Sequence, residues 1–303
     1  MKILHILFST IIKKNQNNTN IIITLIKDKK MPDLKIPFSV LMSVYQKESP
    51  VFFDECLHSL YIQTVTPTEV IIIIDGQITN ELEFVIQEWK NKLPIKPIRL
   101  QENIGLGKAL NIGLDHCSFE WVFRMDTDDI CVYDRFEKQI NYIEKNPDVS
   151  LVGGSIEEFS EDLKTSLGIR SIESNHNDIV LYAKKRSPFN HVTVAFKKSV
   201  IQKIGGYQHH LFMEDYNLWI RLLSKNYVTH NLPDILVNVR AGSSMISRRR
   251  GLIYVKSEIQ LVKLKLDLNF DNKCSGIYIF SMRSIARLLP LTILKYLYKK
   301  FRT

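Results

Sequence analysis

The chain has 303 residues, 45% of them hydrophobic and 10% aromatic, with 12 glycines and 10 prolines, which excludes a fibrous, low-complexity or wholly disordered chain and provides for one large buried core. A formal net charge of +9 points to anionic partners, but basic residues crowd toward the C-terminal end, so an anionic membrane surface or a diphosphate suits the bias at least as well as nucleic acid. Cys56, Cys117, Cys131 and Cys274 form no CxxC pair, which argues for a reducing compartment rather than a zinc cluster or disulfide framework, and no run of about 18 apolar residues marks a conventional spanning helix.

Residues 1–30 carry two short apolar runs around the polar tract Lys13-Lys14-Asn15-Gln16-Asn17-Asn18. Lys2 ahead of the first run has the look of a signal-peptide start, yet no small-residue cleavage site follows. Residues 1–35 are therefore expected to be a poorly ordered extension, with Met31-Pro32 just ahead of the first convincing strand. Residues 39–44 (SVLMSV) predict that strand, and 52–63 a helix whose Phe53, Leu57, Leu60 and Tyr61 recur at helical spacing. Residues 69–74 (EVIIII) are apolar on both faces, as a central parallel strand must be when helices cover each side. A helix over 80–92, a strand over 98–100, a helix over 106–116 and a strand over 120–125 follow. The alternation predicts an α/β fold with a Rossmann-like, mostly parallel central sheet, flanking helices and right-handed crossovers.

Beyond it the pattern gives a helix over 135–146, a strand over 149–153, helical structure over 179–184, a strand over 191–196, a turn at Gly205-Gly206-Tyr207 and a helix over 214–224. A long helix over 252–268, a polar break at 269–273 and an apolar, basic terminus over 276–302 complete the chain. Residues 36–250 are thus expected to form one domain in two halves, 36–130 and 131–250, followed by a C-terminal helical extension over 251–303.

In open sheets of this kind ligands sit beyond the carboxyl ends of the strands, and the acidic residues fall there: Asp75 ends one strand and Asp126-Thr127-Asp128-Asp129 follows another. Three crowded carboxylates need a cation, and Mn²⁺ or Mg²⁺ held by one or two of them completes its shell with water and substrate phosphates. The plainer alternative is an acidic turn with Asp129 as the N-cap of the next helix. Lys108, in the Gly-rich helix start Gly105-Leu106-Gly107-Lys108, is a candidate phosphate-facing cation, and the exposed amides there favour an anion too. Glu214-Asp215 fits a helix cap ahead of the apolar Tyr216, Leu218, Trp219 and Leu222, whose spacing suggests a buried face. Arg240 and Arg248-Arg249-Arg250 could close over a diphosphate or form a solvated loop. Residues 277–297 mix apolar side chains with Arg283, Arg287 and Lys295, a composition suited to a membrane interface or to helices packed on the domain.

Residues 39–45, Gln63-Thr64 before Pro67, 69–76, NIGLGKALNIG at 103–113, the cluster at 126–129, Gly205-Gly206-Tyr207, and Glu214-Asp215 with Trp219 and Arg221 follow one another as in family 2 glycosyltransferases, and the chain resembles their amylovoran-type branch, which builds exopolysaccharide, capsule or lipopolysaccharide. The resemblance implies a GT-A fold and metal-dependent, inverting transfer from a nucleotide-diphosphate sugar, commonly a UDP-sugar, to a hydroxyl of a saccharide or lipid-linked saccharide. Val44 and Tyr45 would line the nucleotide pocket, Asp75 would bond the base, and Asp126 would lie near ribose and metal. Asp128 would be the main metal ligand, Asp215 the general base and Glu214 its support. His191, Trp219 and Arg240 are the corresponding candidates for sugar, acceptor or diphosphate contacts, although a lone histidine before a strand is more often structural. The family often has an arginine before the asparagine of the Gly-rich segment. Here Leu110 precedes Asn111, and Lys108 is the substitute. The implied setting is cytoplasmic, at the inner face of a bacterial plasma membrane, without nucleic acid. A sugar-nucleotide pyrophosphorylase would share the sheet and metal but opens with a Gly-rich basic loop, where this chain has Gln46-Lys47-Glu48-Ser49-Pro50. A non-enzymatic basic module explains the charge and leaves the carboxylates unexplained.

Overall fold

The computed structural model describes residues 36–241 and 251–288. The expected N-terminal extension, Arg248-Arg249-Arg250 and the end of the apolar, basic terminus lie outside the described residues.

Four parallel strands carry the first half, in the order β3-β2-β1-β4: β1 (Phe38–Val44), β2 (Glu69–Ile74), β3 (Ile95–Arg99) and β4 (Trp121–Arg124). Helices α1 (Pro50–Tyr61), α2 (Asn80–Lys90) and α3 (Leu106–His116) connect them. Both faces of β2 are covered, and all six of its residues are buried. Local chemistry sets each helix start. Ser49 accepts from Phe52 N ahead of Pro50, and Thr79 accepts from Leu82 N. Gly113 of α3 meets the sheet so closely that a Cβ would lie 2.4 Å from Leu41 Cδ1. At the opposite end of the strands the buried Glu69 accepts from Ser39 Oγ at 2.6 Å, Lys96 Nζ at 2.6 Å and Ser118 N at 2.5 Å. Burial alone would raise this carboxyl group, but those donors hold it down to about 2.

The second half holds β5 (Ile130–Cys131), α4 (Arg135–Lys145), β6 (Leu151–Phe159), β7 (Ser166–Arg170), α5 (His176–Ala183), a 3₁₀ turn at His191–Thr193, β8 (Ala195–Lys197), α6 (Lys198–Lys203), α7 (Glu214–Ser224) and β9 (Thr229–Arg240). Sheet order continues β4-β8-β6-β9-β5, with β7 on β6. The short β8 runs antiparallel to both β4 and β6, while β6 and β9 pair in parallel. β8 thereby joins the all-parallel first half to a mixed second half, in which β7 and β5 pair antiparallel with β6 and β9, in one sheet. The strand expected over 191–196 is corrected to a 3₁₀ turn followed by the later β8, because Thr193 Oγ1 donates to Asn190 O at 2.8 Å and accepts from Gly154 N, giving the backbone a local alternative to the ladder.

Helices α8 (Leu252–Asp267) and α9 (Lys273–Leu288) form a hairpin on this half. Its buried Glu258 pairs with Arg283 and Arg287, and its buried Lys265 donates to Lys184 O at 2.8 Å and Tyr216 Oη at 2.9 Å. Among the described residues no helix is long and apolar enough to cross a membrane.

Candidate active site

The carboxyl ends of β1, β2 and β4 supply the donor edge. After β2, Asp75 N donates to Val44 O at 2.8 Å. The Asp75 carboxylate, 3% exposed, accepts from Ile104 N at 2.8 Å and Gly105 N at 3.1 Å. Asp75 therefore holds the Gly-rich segment against the β2 end. Gly76, at φ +83°, is where the two backbones meet, since a Cβ would fall 2.7 Å from Asn103 N. Val44 is fully buried, leaving its backbone to face the edge, whereas Tyr45 is exposed. Lys108 sits exposed in the first turn of α3.

At the end of β4 the buried Arg124 forms an ion pair with the half-exposed Asp126. Burial works against the Arg124 cation, and Asp126 more than offsets it. Asp128 is pushed above the usual carboxylate range by burial and then by Asp126. Asp129 is not a helix N-cap: Asp134 holds that position for α4, and Asp129 Oδ1 instead accepts from Arg240 N at 2.9 Å. Burial, Asp128 and Asp126 raise its carboxyl too. Arg240, a candidate for diphosphate contact, reaches the carboxylate loop from the end of β9. Its side chain is 4% exposed, its Nε donates to Glu161 O at 3.1 Å, and its Nη atoms bind Asp128 O and Glu55. It staples the end of β9 beneath the carboxylate loop.

Opposite this edge stands the start of α7. Gly107 of α3 leaves room for Glu214, whose Cγ would lie 3.3 Å from a Cβ there. Burial, with Asp215 beside it, raises the Glu214 carboxyl. Asp215 Oδ2 accepts from Ser187 Oγ at 3.4 Å. Between the two carboxylate groups lies Tyr207, in the field of Arg124, Asp215 and Asp126, with its hydroxyl 2.8 Å from His191 Nε2. Burial, then Arg124, holds His191 far below the usual imidazole range, so it is neutral at pH 7. Trp219 is fully enclosed, 5.3 Å from Phe189 and 6.0 Å from His191 between ring centroids. It forms a wall behind His191.

Sequence reasoning missed four contributors. Glu48, in the loop after β1, is driven up to about 7 by burial and by Asp128. Arg124 was hidden inside a strand. Ser187 carries no pattern. Asn111 was noted only as a motif position, yet its Nδ2 donates to Tyr207 O at 2.6 Å and its Oδ1 accepts from Tyr207 N at 2.7 Å, and that reciprocal pair fixes the Gly205-Gly206-Tyr207 turn. Its place in the Gly-rich motif was the available signal.

The arrangement provides two acidic groups on facing elements, a neutral imidazole and phenol between them, and a helix N-terminus directed at the gap. A model described as Glycosyl transferase family 2 matches residues 39–205. Over 265 residues the chain is 46% identical to the amylovoran biosynthesis glycosyltransferase AmsE of Erwinia amylovora, covering 88% of this chain and 99% of that one. It is 41% identical over 270 residues to the UDP-Gal:alpha-D-GlcNAc-diphosphoundecaprenol beta-1,3-galactosyltransferase of Escherichia coli, covering 89% and 98%. Among solved structures, the mannosyltransferase PcManGT from Pyrobaculum calidifontis in complex with GDP-Man and Mn²⁺ matches with a TM-score of 0.59 at 18% identity, over 90% of this chain and 86% of that one, a likeness of fold.

Proposed function

From the premise that this chain belongs to glycosyl transferase family 2 and is a glycosyltransferase of GT-A fold, we propose that it transfers a sugar from a nucleoside-diphosphate donor to a hydroxyl of a lipid-linked saccharide, with inversion and with a divalent metal. The observation that carries the reading is that buried Tyr207 lies in the field of both Asp126, after β4, and Asp215, at the start of α7. The relative named as a galactosyltransferase acting on a diphosphoundecaprenol-linked sugar supports a lipid-linked acceptor and a UDP-sugar. Work at the inner face of the plasma membrane fits that acceptor.

The donor set fits a hard cation. Asp126 and Asp128 offer oxygen ligands, and Asp128 is pushed up by burial and then by the Asp126 charge, a setting that a divalent ion would relieve. Among the described residues no three His, Cys, Asp or Glu side chains are gathered at ligating distance, so water and donor oxygens would complete the shell. When bound, Mn²⁺ or Mg²⁺ would offset the charge developing on the departing nucleoside diphosphate.

The chain's own residues do the rest. The amides at the start of α3 and Lys108 face the anionic donor. The Tyr45 side chain and the β2 end bound the nucleotide. Asp215 takes the acceptor hydroxyl's proton as the anomeric carbon gains oxocarbenium character, and Glu214 flanks it. One displacement from the opposite face inverts the anomeric centre, with no carboxylate needed as nucleophile. Neutral His191 and Tyr207 orient hydroxyl groups in the gap. Turnover of a panel of nucleotide sugars, measured with and without Mn²⁺, tests this. Asp128→Ala and Asp215→Asn should each lower transfer by at least about a hundredfold, with donor-induced thermal protection retained in Asp215→Asn. Full activity in Asp215→Asn, or equal activity in chelator, would refute the assignment of roles.

A further inference from the structure

Helix α9 carries an exposed apolar face. Its two arginines face the protein: Arg283 Nε lies 2.7 Å from one carboxylate oxygen of the buried Glu258 and Arg287 Nε 3.5 Å from the other, with the guanidinium groups over the rings of Tyr216 and Tyr254. Ile279 and Phe280 are half-buried beside them, but four other apolar groups face outward. Ile277, Tyr278, Met282 and Ile285, at the spacing of one helix face, are 57%, 67%, 56% and 60% exposed. A helix covered by water alone would have these two sets exchanged. Leu252 and Ile253, also exposed, extend the apolar surface from the start of α8, which Gly251 N ties to the end of α9 through Arg287 O at 3.1 Å.

Charge identifies what covers this face. Residues 240–303 contain fourteen basic and three acidic side chains, an excess that persists with the internally held Arg240, Lys265, Arg283 and Arg287 set aside; the rest of the chain is slightly acidic, and no acidic residue follows Asp271. An anionic lipid surface complements that excess, whereas a second copy would set like charges together. The hairpin also holds the approach to the candidate base. Ser257 Oγ donates to Leu211 O at 2.6 Å, Gln260 Nε2 donates to His209 O at 3.1 Å, and His210 Nε2 lies 2.8 Å from Ser257 O. Phe212 stacks on Tyr254 at 5.4 Å and 11°, its backbone at φ +65°, a region an aromatic residue enters only when its surroundings impose it. Leu211 and Phe212 are exposed and immediately precede Met213, Glu214 and Asp215.

We propose that the outward face of the α8–α9 hairpin docks on an anionic bilayer and so delivers the 209–212 loop, and the base behind it, to an acceptor whose hydrocarbon remains in the membrane. This rests on the lipid-linked acceptor proposed above. The test compares the full chain with its Ile277→Ser/Met282→Ser/Ile285→Ser variant. Wild type should co-sediment with vesicles of phosphatidylethanolamine and phosphatidylglycerol, less so with phosphatidylcholine alone, and less so as salt rises. In the variant, partition should fall roughly tenfold or more, and transfer to a lipid-linked acceptor should fall with it. Thermal unfolding and transfer to a water-soluble acceptor with the same headgroup sugar should be unchanged. Equal partition of the two proteins would overturn the proposal, as would a wild-type dimer in light scattering that the substitutions dissociate. A wild type that binds vesicles but turns over no donor would instead refute the metal-dependent donor chemistry.

Discussion

Replacing Asn111 with alanine removes both hydrogen bonds that hold the Gly205-Gly206-Tyr207 turn and leaves Tyr207 N and O unpaired in a half-buried setting. Each orphaned group costs about 1–3 kcal/mol, and partial access of water places the sum near the lower end, at about 2–3 kcal/mol. Gly206→Ala reaches the same clamp from the other side. Its Cβ would stand 2.5 Å from Asn111 Oδ1 at φ +60°, so it would displace the amide and add left-handed strain of about 1–2 kcal/mol. With Asn111→Ala already present, Gly206→Ala has no clamp left to break, and its cost falls to the strain alone. The two single changes should therefore exceed the double variant by about 2–3 kcal/mol, far outside the additivity expected of independent sites. Urea denaturation of the four proteins, with unchanged m values, measures this coupling. Additivity within about 0.5 kcal/mol would refute the clamp.

Glu69→Gln should destabilise the protein by about 1–3 kcal/mol at pH 7 and flatten its acid limb. With the folded value near 2 and the unfolded one near about 4.3, the stabilisation is present above the unfolded value and lost as pH falls toward the folded one, so equally steep acid limbs would contradict it. Gly113→Ala should lower stability by about 1–3 kcal/mol because the added methyl meets Leu41 and Ile73, even though alanine is the better helix former by about 1 kcal/mol; a raised Tm would sink that expectation. Arg240→Lys keeps the charge but loses the fork that reaches Glu161, Asp128 and Glu55. Donor KM should rise roughly tenfold, and an unchanged KM would show that the staple does not position the loop.

The parallel half was legible because its signals are local and one-dimensional. The continuous apolar run of β2, the helical spacing of Phe53, Leu57 and Leu60 and the glycine before α3 each specify their element without help from the rest of the chain. In contrast, β9 has Pro233 and Asp234 inside it and reads as a loop. Its pairing with β6 absorbs them through register shifts around Ser155, which only the finished sheet reveals. The same holds at the site. The carboxylates follow strand ends and were visible, whereas Arg240 reaches the Asp128 loop over 112 positions of sequence, and Arg124 looks like one more strand residue until its ion pair with Asp126 is seen. The enclosure of Trp219 was not legible for a related reason, since a helical aromatic beside a motif carries no mark of which way it points.

Gly107 has a bearing on how such an enzyme can diversify. The start of α3 meets the start of α7 there through the Glu214 side chain, whose Cγ would lie 3.3 Å from a Cβ at Gly107. In the reaction proposed above, that contact would help to set the span between leaving group and incoming nucleophile. Loops and walls around the gap can be exchanged to admit another sugar while the stroke of the reaction stays constant.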